Sequence, residues 1–293
     1  MTEIIDRIAA DRSLLGRPRL MLRVGSHRTS LWLGVTIIVV IALAGLLAPV
    51  IARHSPTSLN IAAALEPPSL GHPFGTDQFG RDVFARTLYA ARLDLPLALA
   101  LVGTGFTIGT IVGVLAGWSR GWFDTAVTRV IDIALAFPFL VLVISIIGVR
   151  GPGLGSLYIA VSLISWVFYA RLVRAEVRVT MDADYIRAAL ASGFSKPRII
   201  VRHLAPNVII QPLVYASSDC VYALLLGATV SFLSLGVQPP RVEWGQMVAL
   251  GVPYVGSQWW MSTFPGAMIA LTGIGFSLIA DGLANLVRTG RDS

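Results

Sequence analysis

The chain has 293 residues, of which 55% are hydrophobic and only 13% are charged, and its mean hydropathy is +0.74. This composition excludes an ordinary water-soluble domain and indicates an integral membrane protein. The formal net charge of +7 comes almost wholly from arginine, and in an apolar chain such charge marks membrane sidedness rather than nucleic-acid binding. A single cysteine excludes an intrachain disulfide, and the spacing of the histidines does not indicate a metal site. The histidines are His27, His54, His72 and His203.

Residues 1–30 form a basic tail in which isoleucines and leucines alternate with arginines and aspartates. Two interpretations fit this pattern: an amphipathic helix that lies on the membrane surface, or a disordered, positively charged flank. Both stay open at the level of the sequence.

Six apolar runs follow the tail and predict six transmembrane helices, so the chain is expected to be an all-α membrane protein. The fourth run is short and the fifth is long, and Pro212 near the start of the fifth predicts a kink. The first run could instead be a signal peptide, but its length and the long preceding tail favour a membrane span. The runs are 31–52, 93–118, 126–148, 156–170, 208–235 and 264–287.

Arginine placement predicts the orientation. The N-terminal tail and segment 171–206 carry most of the 23 basic residues, and two more arginines lie near the C-terminal tail, 288–293. By the positive-inside rule both termini and segment 171–206 are expected in the cytoplasm. Loop 53–92 is then expected outside, and residues 93–287 are expected to form the main membrane domain.

Residues 185–206 interrupt the apolar pattern and predict two short helices joined by a sharp turn. Asp182 or Asp184 is a candidate cap for the first helix, and Gly193 suits the left-handed residue that ends it. Ser195 is expected to cap the second helix, with Pro206 beyond its end.

This pair of helices has two interpretations. Ala189 and Gly193 are four residues apart and predict a small-residue face that another protein can approach, while Arg198 and Arg202 line the second helix. The segment is then a docking surface for a cytoplasmic partner. The alternative is a basic loop that only fixes the topology.

Two further motifs also have two readings each. The stretch GTDQFGRD, residues 75–82, predicts a structured start to a helix through Phe84 and Leu88, or a contact with another protein. The tryptophans of loop 237–263 predict interfacial anchors in preference to a substrate cage. These tryptophans are Trp244, Trp259 and Trp260.

Four acidic residues fall in or near predicted spans. Asp94, Asp132 and Asp281 lie near span ends, where water or a neighbouring arginine can solvate them, so a structural role is expected. Asp219 lies about 12 residues into the fifth run, near the middle of the membrane, and is a candidate for a substrate path.

Several motifs together resemble the permease subunits of importers of the ATP-binding-cassette (ABC) class. The cytoplasmic loop of those subunits carries the pattern EAA, three residues, G, nine residues, I, one residue, L, P. The matching residues here are Ala188, Ala189, Gly193 and Pro206. The departures are Arg187, His203 and Ala205, in place of the glutamate, isoleucine and leucine.

The RHLAPN stretch, in which His203 replaces the isoleucine, is similar to the peptide and nickel branch of this class. Other stretches match the C-type permease of dipeptide, oligopeptide and nickel importers in order and spacing. They are HPFGTDQFGRD (72–82), GWFDTAVTRVIDIALAFP (121–138), YARLVRAEV (169–177), SFLSLGVQPP (231–240) and DGLAN (281–285).

This resemblance implies a type I ABC importer transmembrane domain in a bacterial inner membrane, with peptides as the expected cargo. It implies a heterodimer with a homologous permease, two ATPase subunits that bind ATP and Mg²⁺, and an extracytoplasmic solute-binding protein. The chain itself is expected to be no enzyme and to bind no cofactor or metal. Lys196, the only lysine, does not lie in a phosphate-binding loop, which agrees with a separate ATPase.

The resemblance also assigns ATPase coupling to a set of residues in segment 171–206. That set is Tyr185, Arg187, Ala188, Ala189, Gly193, Phe194, Ser195, Lys196, His203 and Pro206. Two other classes remain as alternatives. An ion-coupled secondary carrier would be expected to show paired inverted repeats, and a membrane enzyme would need a convergent catalytic set; neither pattern is visible.

Overall fold

The computed structural model describes residues 27–289, and the alternatives for the N-terminal tail concern residues outside this range. Within it the chain is helical, and the pairing of Thr76 with Asp82 is an isolated bridge rather than a strand. The all-α prediction is confirmed. The helices are α1 His27–Leu46, α2 Ala48–Ile51, α3 Val83–Ser119, α4 Trp122–Leu135, α5 Phe139–Arg150, α6 Leu154–Met181, α7 Asp184–Ala191, α8 Lys196–Ile199, α9 Ala205–Val208, α10 Ile210–Phe232, α11 Trp244–Gly251 and α12 Trp260–Thr289.

Five of these helices are long and apolar enough to cross a membrane: α1, α3, α6, α10 and α12. The third apolar run is divided between α4 and α5, whose axes meet at 87°. The break lies at Pro138. Proline has no N–H to donate and disfavours helical backbone in the residue before it, so the first helix of the pair ends here. The six predicted spans therefore correspond to five continuous helices and one bent pair.

Two helices are longer than the apolar runs that predicted them. Helix α3 begins at Val83, ten residues before the predicted start of the second span. Its first turns include the polar residues Arg86 and Asp94, which interrupt the apolar pattern. Both side chains are buried within the protein, so the helix continues through them. Helix α6 continues to Met181, so segment 171–206 begins as the end of a long helix rather than as a loop.

The irregular backbone near the start of the fifth span does not lie at Pro212, where the sequence predicted a kink. Pro212 is in the first turn of α10, where the backbone N–H groups have no partner within the helix, so proline is tolerated there. The irregularity comes earlier, in a π-helical turn at Ile200–Leu204 and at Ile209, where α9 gives way to α10.

Helices α3 and α6 pack along a stripe of glycines that recurs every fourth residue of α3. A β-carbon at Gly109 would lie 2.5 Å from the Trp166 carbonyl oxygen, and one at Gly113 would lie 2.8 Å from that of Ala170. Such close approach of two backbones is the usual means of helix association in membranes. The stripe is Gly105, Gly109, Gly113 and Gly117.

Candidate functional site

Residues 184–208, here called the turn segment, project from the end of α3 and α6. Gly193 has a φ of +75°, as the sequence predicted, and the Phe194 N–H donates to the Ala189 carbonyl 3.2 Å away, which closes the turn. The capping predictions were wrong in part. The cap position of α7 is Ala183, and Ser195 holds the cap position of α8 without a side-chain hydrogen bond.

The base of the turn segment is apolar. Ile186 and Ile199 are fully buried and pack with Ala189 against Trp118 in the last turn of α3. The prediction that Ala189 lies on an approach face was wrong, because its side chain points into the protein's own core. The exposed small residues of α7 are Ala188 and Ala191.

The outer face of the turn segment carries aromatic and cationic side chains. Phe194 stacks on the half-buried His203 with ring centroids 5.9 Å apart, and the Arg198 guanidinium lies 4.6 Å from the Phe194 centroid. Apart from Gly193 itself and its two neighbours in the chain, no described residue has a heavy atom within 4 Å of a β-carbon placed on Gly193. The exposed predicted site residues are Tyr185, Arg187, Ala188, Gly193, Phe194, Ser195, Lys196 and Pro206.

The second helix does not end at Pro206. Helix α8 passes directly into the π-helical turn and then into α9, where Pro206 occupies an early position that needs no N–H donor. Asn207 Nδ2 donates to the Tyr185 hydroxyl at 3.2 Å and to the His203 carbonyl at 2.7 Å. The two arms of the turn segment are thereby tied together.

Ion pairs join the neighbouring helix ends. Asp124, buried in the first turn of α4, accepts hydrogen bonds from Arg174 and Arg178 of α6. Arg120 lies 3.3 Å from Asp182 at the end of α6. Several of the arginines that indicated sidedness therefore also fix the geometry beneath the turn segment.

Asp219 lies at a cavity of about 290 Å³ between α3, α5, α6 and α10. Its Oδ2 accepts a 2.8 Å hydrogen bond from the hydroxyl of Tyr169, which is fully buried. The partner that fixes Asp219 is thus a tyrosine of the same chain. The cavity walls are mainly aromatic and apolar, and its principal side chains are Phe139, Ser165, Phe168, Tyr215, Asp219 and Tyr222.

At the opposite end of α3, residues 60–82 and 237–260 form a layer of loops and short helices, here called the loop cap. Asp94 was expected to be solvated, but it is 4% exposed and its Oδ2 accepts from the Trp244 N–H at 3.0 Å. Glu243 caps α11 by accepting from the Gly245 and Gln246 N–H groups, and burial raises the pKa of its carboxyl group. By contrast, Asp132 and Asp281 are exposed.

The anchor prediction required the three tryptophans of the loop cap to lie at the surface, and for two of them it was wrong. Trp244 is fully buried and its Nε1 donates to the Thr87 carbonyl at 2.9 Å. Trp260 is buried as well and donates to the Thr76 carbonyl at 3.1 Å. Only Trp259 of the three is exposed.

The GTDQFGRD stretch is a structured start to α3, as predicted. Asp82 caps the helix by accepting from the Ala85 N–H at 2.6 Å. Asp77 accepts from the Phe79 and Arg81 N–H groups, and its other oxygen lies 2.6 Å from Arg81 Nε. A contact with another protein stays a prediction.

Two parts of this architecture escaped the sequence analysis. The four-residue spacing of the glycines in α3 was a usable signal, since it is typical of closely packed membrane helices. Tyr169 gave no comparable signal, because its role depends on Asp219, 50 residues further along the chain.

The comparisons with known proteins point to one family. The family "Binding-protein-dependent transport system inner membrane component" matches residues 109–291. A Brucella abortus protein, provisionally named a peptide transport system permease, is 37% identical over 290 residues, which cover 98% of this chain and 97% of the relative. A dipeptide transport system permease of Alkalihalophilus pseudofirmus is 38% identical, with 85% and 82% covered. An oligopeptide transport system permease of Bacillus subtilis is 34% identical, with 90% and 86% covered.

Proposed function

This chain belongs to the family of binding-protein-dependent transport system inner membrane components, and we propose that it forms half of the translocation path of a peptide importer. It is a permease subunit of an ABC importer and not an enzyme, because ATP hydrolysis in such systems takes place on separate ATPase subunits. These relatives give no support to an ion-coupled secondary carrier. The observation that carries the peptide assignment is the shared peptide-transport naming of relatives that match nearly the full chain.

The complex that we propose contains a second, homologous permease, two ATPase subunits that bind ATP and Mg²⁺, and an extracytoplasmic solute-binding protein. The turn segment is the docking site for one ATPase. Three features support this: an apolar base that fixes the segment to α3, an open surface around Gly193, and exposed Tyr185 and Phe194 on the outer face. Exposed aromatic and arginine side chains are common at the centre of protein interfaces.

The contacts also suggest how ATPase movement reaches the path. Ile186 and Ile199 pack against Trp118 of α3, and the glycine stripe lets α6 approach α3 closely. Side chains of α6, among them Tyr169 and Val173, lie directly on this stripe, and the same two helices supply walls of the Asp219 cavity. A displacement of the turn segment is therefore carried by packed backbones to the cavity, because close-packed interiors transmit strain.

The Asp219 cavity is this chain's share of the path. It offers one carboxylate among aromatic faces, a combination suited to the ammonium group and apolar side chains of a peptide. Acidic side chains within membrane-spanning segments are costly and mark transport pathways. Loops 53–92 and 237–263 then face outwards, and both termini lie in the cytoplasm.

The function is tested by radiolabelled peptide uptake in cells with and without this chain, in competition with dipeptides, longer peptides and nickel chelates. Loss of peptide uptake on deletion, restored by the chain, is the expected result. Uptake that peptides never compete for would refute the cargo assignment. Orientation is tested separately in a Cys220→Ala background, where cysteines introduced at Ser69 and Ser195 should react with an impermeant reagent from opposite sides.

A further inference from the structure

The loop cap and its border bring together two histidines and a carboxylate that the sequence keeps apart. His54 follows α2, His72 lies within the long loop, and Asp82 begins α3. The ligand atoms that these residues offer all lie within 4.8 Å of one another. The sequence analysis judged metal binding from the spacing of the histidines along the chain and did not consider Asp82.

The geometry is close to that of a coordination sphere. The Oδ2 atom of Asp82 lies 2.7 Å from His72 Nδ1 and 3.7 Å from His54 Nδ1. Ligand atoms bound tetrahedrally at about 2.1 Å lie about 3.4 Å apart, between these two distances. Both separations differ from that value by less than about 1 Å, which places the three ligand atoms within reach of one ion.

The surroundings hold the carboxylate still and leave the third ligand free to adjust. Asp82 is 3% exposed and its Oδ1 is fixed by the Ala85 N–H, so Oδ2 points at the histidines. His54 is partly exposed and stacks on His72 with ring centroids 4.6 Å apart. Carboxylates that bind metal ions are commonly held in place by a hydrogen bond of this kind.

We propose that His54, His72 and Asp82 bind a divalent transition metal ion of the Zn²⁺ or Ni²⁺ class. Two imidazole nitrogens and one carboxylate oxygen suit such ions and do not suit Mg²⁺ or Ca²⁺, which prefer oxygen ligands. A cavity of about 260 Å³ beside His54 and Asp82 leaves room for water as the fourth ligand. The bound ion ties the end of α2, the loop and the start of α3 together.

Arg53 lines the same cavity, and its positive charge opposes a cation. Arg53 is exposed, so water and salt screen the repulsion between its guanidinium and the bound ion. The arginine therefore weakens metal binding without preventing it, and its removal gives a variant with the opposite expected sign.

The test uses the full-length chain in lipid nanodiscs after removal of any affinity tag, with Zn²⁺ as the probe. Equilibrium dialysis and metal analysis should give one Zn²⁺ per chain, and saturating Zn²⁺ should raise the unfolding temperature. His54→Gln should weaken binding at least about tenfold, since loss of even an outer partner of a metal ligand has that effect. In the absence of metal, the same variant should unfold at the wild-type temperature, because it keeps the hydrogen bond between the His72 and Asp82 side chains.

Matched variants sharpen the result. Arg53→Gln should bind Zn²⁺ more tightly, and His203→Gln, which removes a histidine far from the cluster, should bind it as the native chain does. An excess of Mg²⁺ should not displace Zn²⁺. No binding by the native chain, equal binding by His54→Gln, or displacement by Mg²⁺ would each overturn the proposal.

Discussion

The turn segment and the loop cap lie at opposite ends of α3 and are built in different ways. In the loop cap, Trp244 and Trp260 are buried and donate to backbone carbonyls of distant segments. In the turn segment, Ile186 and Ile199 fill an apolar base, and the aromatic and cationic side chains lie outside it.

The two ends thus differ in what their side chains can do: those of the loop cap bond within the chain, and those of the turn segment are available to a partner. A buried polar group that bonds within the chain fixes geometry, because leaving it unpaired would cost about 1–3 kcal/mol. An exposed aromatic group on a rigid base contributes little to folding and much to binding when a partner covers it. The two ends of α3 should therefore respond differently to substitution.

The largest expected effect is at the tip of the turn segment. Gly193→Trp should abolish transport while the protein still inserts, because the indole occupies the open space that we assign to the ATPase. The membrane spans are unchanged by this substitution. Uptake and co-purification of the ATPase with the permease are the measurements.

Two controls separate docking from backbone strain at this position. Gly193→Ala should cost about 1 kcal/mol through the positive φ alone and retain most of the transport. Gly256→Trp places the same bulk at another open, exposed glycine, in the loop cap, and should leave ATPase association intact. Normal uptake and co-purification in Gly193→Trp would favour the topological-loop interpretation.

The next effect is a loss of stability in the loop cap. Trp244→Ala should lower the free energy of unfolding by about 3–5 kcal/mol, since it opens a cavity and removes the indole N–H that donates to the Thr87 carbonyl. Trp259→Ala removes an exposed tryptophan of the same layer and should change it by about 0.5 kcal/mol or less. Thermal unfolding in detergent measures both, and similar losses would contradict the contrast drawn between these tryptophans.

The sequence was informative wherever a local rule decides the structure. Apolar run length located the five long apolar helices and the bent pair α4–α5. The left-handed residue at Gly193 and the helix start at Asp82 followed from known turn and capping preferences. Each of these features depends on residues close together in the chain. The glycine stripe of α3 belongs to the same group, although its spacing was overlooked.

The features that were missed depend on partners far along the chain. Asp94 sits in a long helix as a buried residue because the Trp244 N–H, 150 residues away, satisfies it. Ala189 faces inwards because Trp118 of α3 closes the base of the turn segment. Neither direction follows from residue type or helical spacing, since both require knowledge of which helices meet.

Between the two ends of α3, Asp219 should affect selectivity rather than stability. Asp219→Asn keeps an acceptor for the Tyr169 hydroxyl but removes the charge, so uptake of cationic peptides should fall about tenfold relative to neutral ones, a difference of about 1.4 kcal/mol. Competitive uptake of matched peptides measures the ratio.

Two further variants test the assignment of Asp219 to the path. Tyr169→Phe keeps the carboxylate and removes its hydrogen-bond donor, so it should alter charge selectivity less than Asp219→Asn does. Asp219→Leu removes both charge and acceptor. Full uptake and normal assembly with the second permease in the leucine variant would show that Asp219 has no role in the path.

The smallest effect is a change in the pH dependence of stability at Glu243. Burial raises the pKa of Glu243 above its ordinary value of 4.5, so above that pH the folded protein holds a proton that the unfolded chain releases. The stabilisation is complete below about pH 4.5 and is lost as the pH rises through the folded-state pKa. Glu243→Gln cannot ionise and should show a shallower decline in unfolding temperature as the pH rises above about 4.5, with a constant offset from its weaker helix cap. An unchanged slope in Glu243→Gln would mean that this carboxyl group is ionised in the folded protein and that its hydrogen bonds from Gly245 and Gln246 outweigh its burial.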